Sequence, residues 1–181
     1  LPFNHHNDKI WWRTTFFILN MSRVVFLDRD GVINKERKDY VKNLDEFEIF
    51  NGVSKAIKIL KEKNFLVIII TNQSAINRNL LTSDKLDEIH NYLQENLKKD
   101  NTSFDAIYYC PHKPDENCNC RKPKPGLLLR AAEEHKIDLK NSFFIGDSIT
   151  DIQAANAVGC KGILLENKSL LETVENLSSI F

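Results

Sequence analysis

Val24-Val25-Phe26-Leu27-Asp28-Arg29-Asp30-Gly31-Val32-Ile33-Asn34 is the stretch that decides how this chain folds. Its four leading apolar residues read as a strand buried on both faces, as in a parallel sheet covered by helices. The run stops at two aspartates one residue apart, followed at once by glycine. Ligands of open α/β sheets lie beyond the carboxyl ends of the strands, so Asp28 and Asp30 stand where chemistry happens. Two acids at this spacing can share one divalent cation, one through a side-chain oxygen and the other through its backbone carbonyl. Such an oxygen set suits magnesium. Taken alone, the same residues also read as a charged turn capping a strand.

Three further stretches end in polar groups in the same way. The apolar run 65–70 reads as a second buried strand, and Thr71-Asn72-Gln73-Ser74 after it offers hydroxyl and amide groups to phosphate oxygens. Arg121-Lys122-Pro123-Lys124-Pro125-Gly126 places cations ahead of a helix over 127–136. Phe143-Phe144-Ile145-Gly146-Asp147-Ser148 is another apolar strand closing on glycine and an acid, with Asp151 one turn on. Residues 104–109 read as a third strand, and 163–165 as the strand that closes the sheet. Val53, Ala56, Ile57 and Leu60, then Leu86, Ile89, Leu93 and Leu97 behind Thr82 and Ser83, recur at helical spacing. Those stripes are core. Strands alternating with helices predict an α/β fold, a central parallel sheet in a three-layer sandwich.

In this order the four strand-end motifs resemble those of the haloacid dehalogenase superfamily, a group of Rossmann-like phosphatases. That resemblance implies that Asp28 is a nucleophile that forms an aspartyl-phosphate. Asp30 would protonate the departing hydroxyl and then activate water, with a pKa raised by Asp28 and phosphate. Magnesium would be held by Asp28, the Asp30 carbonyl and Asp147, with Asp151 behind them; the bland reading of Asp151 is a helix N-terminal charge. Thr71 and Lys122 would stabilise the phosphoryl oxygens, while Arg29, Asn72, Gln73, Ser74 and Arg121 would bind substrate. The stretch between the first two motifs is too short for a separate cap domain, so an open site is expected.

Cys110-Pro111-His112 and Cys118-Asn119-Cys120 hold three of the four cysteines of the chain. Cys110, His112, Cys118 and Cys120 together offer three thiolates and an imidazole, a closed tetrahedral set for structural zinc. The bland alternatives are a loop of free thiols or a bridge formed on oxidation. Cys160 reads as a small core residue. With this loop, the resemblance narrows to the D-glycero-D-manno-heptose 1,7-bisphosphate 7-phosphatases, whose nearest relatives are the histidinol-phosphatases. It implies a phosphorylated sugar as substrate and a place in cell-surface polysaccharide synthesis, and it assigns Arg121 to the second phosphate. The short His112–Cys118 gap also resembles the histidinol-phosphatase loop.

Five departures from the heptose family stand out. Ala75 replaces a glycine, and Ile76-Asn77-Arg78-Asn79 replaces Ile-Ala-Arg-Gly; asparagine tolerates the left-handed backbone such a turn needs. Ser148 stands in place of lysine, the loop 35–40 is a residue longer, and the tail after Leu165 is short, without room for a final edge strand. Two other functions remain open: a zinc-stabilised binding module without turnover, and a 3′-phosphatase acting on DNA.

Balanced charge, 25 Lys and Arg against 25 Asp and Glu, argues against a nucleic-acid partner. Met21 is the only methionine, just ahead of the first strand. Residues 1–20 therefore read as a non-native or disordered leader, and 21–181 as one phosphatase domain. The apolar part of the leader is too short to span a bilayer and is interrupted by Arg13. A cytoplasmic monomer with no membrane partner is expected.

Overall fold

β1 (Val24–Leu27) lies at the centre of a five-stranded parallel sheet in the computed structural model, which describes residues 21–177. The other strands are β2 (Leu66–Asn72), β3 (Ala106–Cys110), β4 (Phe143–Gly146) and β5 (Lys161–Leu164), in the spatial order β3-β2-β1-β4-β5. The helices are α1 (Val53–Glu62), α2 (Ser83–Lys99), α3 (Gly126–His135), α4 (Ile149–Ala157) and α5 (Leu170–Leu177). The chain adds β2 and β3 on one side of β1, then crosses to add β4 and β5 on the other. That reversal, between β1 and β4, is the topological switch point where ligands of such sheets bind.

Alternation along β1 sorts the core into two layers. Val25 and Leu27 pack with α1, α2 and α5, while Val24 and Phe26 pack on the opposite face with α3 and α4. Burial on both faces accounts for the unbroken apolar run. Cys160 is 2 % exposed and belongs to the second layer, as expected of a core residue. Between β1 and β2 the chain forms only a short 3-10 turn, Leu44–Glu46, and α1, so nothing caps the sheet there.

Three strands differ from the expected bounds: β5 begins at Lys161, which pairs with Phe143 of β4, not at Ile163. β2 runs on through Thr71 and Asn72, which pair with Tyr109 and Cys110. β3 starts at Ala106 because the Phe104 backbone bonds to the Gln94 side chain instead, donating N–H at 3.1 Å and accepting at 2.9 Å. After β5, described residues form α5, whose Leu170 and Val174 join the α1 face of the core, and no further strand. Residues 1–20, expected to be a leader, lie outside the described residues.

Candidate active site

Asp28 ends β1 and Asp147 ends β4, the two strands flanking the switch point. Asp151 rises beside them from the first turn of α4, and carboxylate oxygens of the three lie within 4.8 Å of one another. Two glycines allow this crowding. Gly31 has φ +80°, and a Cβ there would run into the Asp147 carboxylate; a Cβ on Gly146 would run into Asp151.

Lys122, 3 % exposed in the loop before α3, reaches into the cluster. Its Nζ lies 2.8 Å from Asp28 Oδ1 and 2.7 Å from Asp151 Oδ1, and it donates to the Ile70 carbonyl at 2.9 Å. Asn72 fixes the Lys122 backbone by accepting from its N–H at 3.1 Å and donating to its carbonyl at 3.3 Å. Three carboxylates against one ammonium leave negative charge in excess. Burial, with Asp151 and Asp30 nearby, pushes Asp28 up to about 7 in spite of Lys122. Burial also pushes Asp147 up to about 6, helped by Asp151 and Glu36. An oxygen-rich, electron-rich cluster of this kind fits a hard dication such as magnesium.

Asp151 has two partners, one on each carboxylate oxygen. It caps α4, accepting from the Ser148 N–H at 3.1 Å, and its other oxygen pairs with Lys122. Ser148 is the N-cap of the same helix, its Oγ accepting from the Thr150 N–H at 3.3 Å. The residue that breaks the family pattern therefore has a helix-starting task.

Asp30 departs from expectation. Burial pushes its carboxyl up, but the Arg29 guanidinium and hydrogen bonds from Asn34, Arg29 and Gln73 outweigh that and hold it below the ordinary carboxylate value. Asn34 Nδ2 donates at 2.9 Å and Gln73 Nε2 at 2.7 Å, while Arg29 Nη2 sits 3.0 and 2.9 Å from its two oxygens. In this resting arrangement these donors outweigh the rise expected from Asp28. Arg29 supplies the charge in that set. Its side chain is 1 % exposed and engaged with Asp30 and His90. Gln73 also donates to Thr71 Oγ1 at 2.9 Å, tying the β2 end to Asp30. Asn34 and His90 were not among the expected site residues. The one available signal was position: His90 follows Ile89 and lies four residues after Leu86, on the buried face of α2.

The cluster opens into a cleft of about 450 Å³ whose walls include Thr71, Asn72, Ser74, Arg78, Arg121 and the loop 36–41. A larger hollow of about 560 Å³, between Ile49–Val53 and Asn96–Asp100, contains none of the strand-end residues and lies away from this chemistry. The turn after β2 forms despite Ala75 and Asn79. Ala75 is fully buried, its carbonyl accepts from Leu80 at 2.9 Å, and Asn79 takes the left-handed backbone at φ 58°.

Cys110, His112, Cys118 and Cys120 converge in the loop that leads to Arg121. Cys110 Sγ lies 3.4 Å from His112 Nδ1 and 3.6 Å from Cys118 Sγ, and Cys120 Sγ lies 3.2, 3.4 and 3.2 Å from Cys110, Cys118 and His112. Tetrahedral zinc with Zn–S near 2.3 Å spaces its sulfurs roughly 3.8 Å apart, so this donor set closes on a volume of the right size. Burial pushes the Cys110 thiol up, whereas at Cys118 hydrogen bonds from Cys120 and the Arg121 backbone outweigh desolvation and bring it down to about 7. Arg121 Nη1 donates to the His112 carbonyl at 3.2 Å, linking this loop to the cleft wall.

The sequence and the fold both have relatives among known proteins. Residues 6–159 match the model of the haloacid dehalogenase-like hydrolases. The chain is 43 % identical over 156 residues, 86 % of its length and 90 % of the relative's, to the D-glycero-beta-D-manno-heptose-1,7-bisphosphate 7-phosphatase of Helicobacter pylori. It is 38 % identical over 151 residues, 83 % of its length and 86 % of the relative's, to the D-glycero-alpha-D-manno-heptose-1,7-bisphosphate 7-phosphatase of Campylobacter jejuni. Among solved structures, the D,D-heptose 1,7-bisphosphate phosphatase of B. bronchiseptica, complexed with magnesium and phosphate, superposes with a TM-score of 0.82 at 32 % identity. That match covers 88 % of this chain and 99 % of the other. With the family model matched over most of its length and relatives this similar, the chain belongs to the family of haloacid dehalogenase-like hydrolases.

Proposed function

We propose that this protein is a magnesium-dependent phosphatase that removes the 7-phosphate of D-glycero-D-manno-heptose 1,7-bisphosphate through an aspartyl-phosphate on Asp28. One observation carries the reading: a buried ammonium, Lys122 Nζ, holds Asp28 Oδ1 at 2.8 Å where β1 opens into the cleft. The other oxygen of Asp28 is the nucleophile. As its bond to phosphorus forms, the bond from phosphorus to the sugar oxygen breaks, and Asp30 gives that oxygen a proton. Asp30 must first take up a proton, and a dianionic phosphate beside it raises its pKa to allow this. Water then attacks the phosphorus and Asp30 accepts its proton, while the bond from phosphorus to the Asp28 oxygen breaks, releasing inorganic phosphate and the free Asp28 carboxylate. Thr71 Oγ1 and Lys122 stabilise the equatorial oxygens, and Ser74 and Asn72 border them.

Asp28, Asp147 and the Asp30 main-chain carbonyl would hold magnesium, which when bound neutralises charge on the transferring group. The Cys110, His112, Cys118 and Cys120 set would hold zinc with no open position, a structural task. Arg121, at the cleft wall, would meet the second phosphate with its planar fork. The heptose assignment is supported by the named substrates of the H. pylori, C. jejuni and B. bronchiseptica relatives. The short His112–Cys118 gap favours histidinol phosphate as the competing substrate. Unpaired cysteines fit a reducing, cytoplasmic setting. Among the described residues no helix is long and apolar enough to cross a membrane.

Phosphate release measured side by side on heptose 1,7-bisphosphate and histidinol phosphate tests the assignment. A kcat/KM for the heptose substrate at least ~100-fold higher is expected, since a cation in the site left without its phosphate partner is costly. The reverse ranking would reassign the protein.

A further inference from the structure

The donors around Asp30 continue into a buried polar chain that ends on α2. Arg29 Nη2 lies between the two Asp30 oxygens, and Arg29 Nη1 is 3.2 Å from His90 Nε2. A guanidinium has donors only, so His90 Nε2 must be the acceptor and the imidazole carries its proton on Nδ1. Burial, with the Arg29 charge beside it, holds His90 down to about 3, in keeping with a neutral ring. The charged groups facing His90 are Arg29 and Asp30, and the Tyr109 ring from β3 stands 6.1 Å away. His90 is 5 % exposed and takes no part in the cleft wall.

We infer that His90 is a positioning residue for the Asp30 carboxylate, acting through Arg29. A guanidinium is rigid and planar, so anchoring Nη1 on His90 fixes where Nη2 points. Asn34 on one Asp30 oxygen and Gln73 on the other complete the set, and Asp30 is left with one plane of orientation. A leucine at position 90 would extend the α2 stripe of Leu86, Ile89, Leu93 and Leu97 but leave Arg29 Nη1 buried without an acceptor. The inference rests on the acid/base role proposed for Asp30.

His90→Leu removes the acceptor and keeps helix propensity, while His90→Gln supplies an amide oxygen in its place. Both are compared with the wild type on heptose 1,7-bisphosphate, with circular dichroism as the check on folding. His90→Met replaces the leucine variant if that does not fold. Expected for His90→Leu is a kcat roughly 10- to 100-fold lower with KM within about twofold, the scale of an ångström-level misplacement. His90→Gln should recover kcat to within about threefold of wild type. The crystal structure of His90→Leu should show Arg29 Nη2 released from Asp30. An unchanged kcat in a folded His90→Leu, a glutamine variant as impaired as the leucine one, or an Arg29–Asp30 pair unaltered in the crystal would each overturn the inference. An inactive wild type would count against the proposed function instead, and the crystal structure would then decide the role of His90.

Discussion

Asp28 and Asp147 show how strongly position sets the chemistry of a residue. Both are carboxyls pushed up by burial, to about 7 and about 6, in a cluster whose one ammonium does not balance the charge. Protons therefore compete with a bound cation at these oxygens. Raised carboxyls are protonated below their pKa, so the stabilisation given by magnesium should be small below about pH 6, grow through the pKa values of about 6 and 7, and level off roughly one pH unit above the higher of them. Thermal unfolding with and without magnesium across that range measures it, and a magnesium effect independent of pH would refute the assignment of these ligands. The places of Asp28, Asp147 and Lys122 were legible because each stands at the end of an apolar run or just before a helix. The ionisation of Asp30 was not. Its donors come from Asn34 and Gln73 on different elements and from Arg29, whose side chain turns inward rather than toward the cleft. No spacing rule conveys where a long side chain turns.

The elements around the site differ in what holds them. β1 and β4 are held by the core on both faces, and their runs were readable for that reason. The start of β3 was not, because a side-chain amide from α2 substitutes for strand pairing at Phe104. The loop 110–120 has polar residues and little apolar surface, so its order would come from metal ligation. Removing zinc with a chelator should lower the unfolding temperature, and magnesium alone should not restore it. Because Arg121 is tied to the His112 carbonyl, the zinc-free protein should also show a raised KM for a bisphosphate. Purified protein with negligible zinc would remove the cluster from the account.

Across the whole molecule, alternating strands and helices predicted a covered parallel sheet, and the sheet has that form. Strand order was a different matter. Nothing local in the chain says that β4 lies beside β1, yet that adjacency brings Asp147 to Asp28 and makes a site of separate motifs. The three strand-end motifs and the Lys122 loop are thus legible one by one in sequence and become a phosphoryl-transfer centre only through the crossover. The most direct measurement of that claim is the fate of Asp28. Wild-type protein quenched during turnover should carry a hydroxylamine-sensitive phosphate on the peptide containing Asp28. Asp28→Asn, folded to the same unfolding temperature within a few degrees, should lose the label and at least ~10³-fold in kcat, as expected for removal of a covalent nucleophile. A variant that retains substantial hydrolysis, or a label on another residue, would contradict the account.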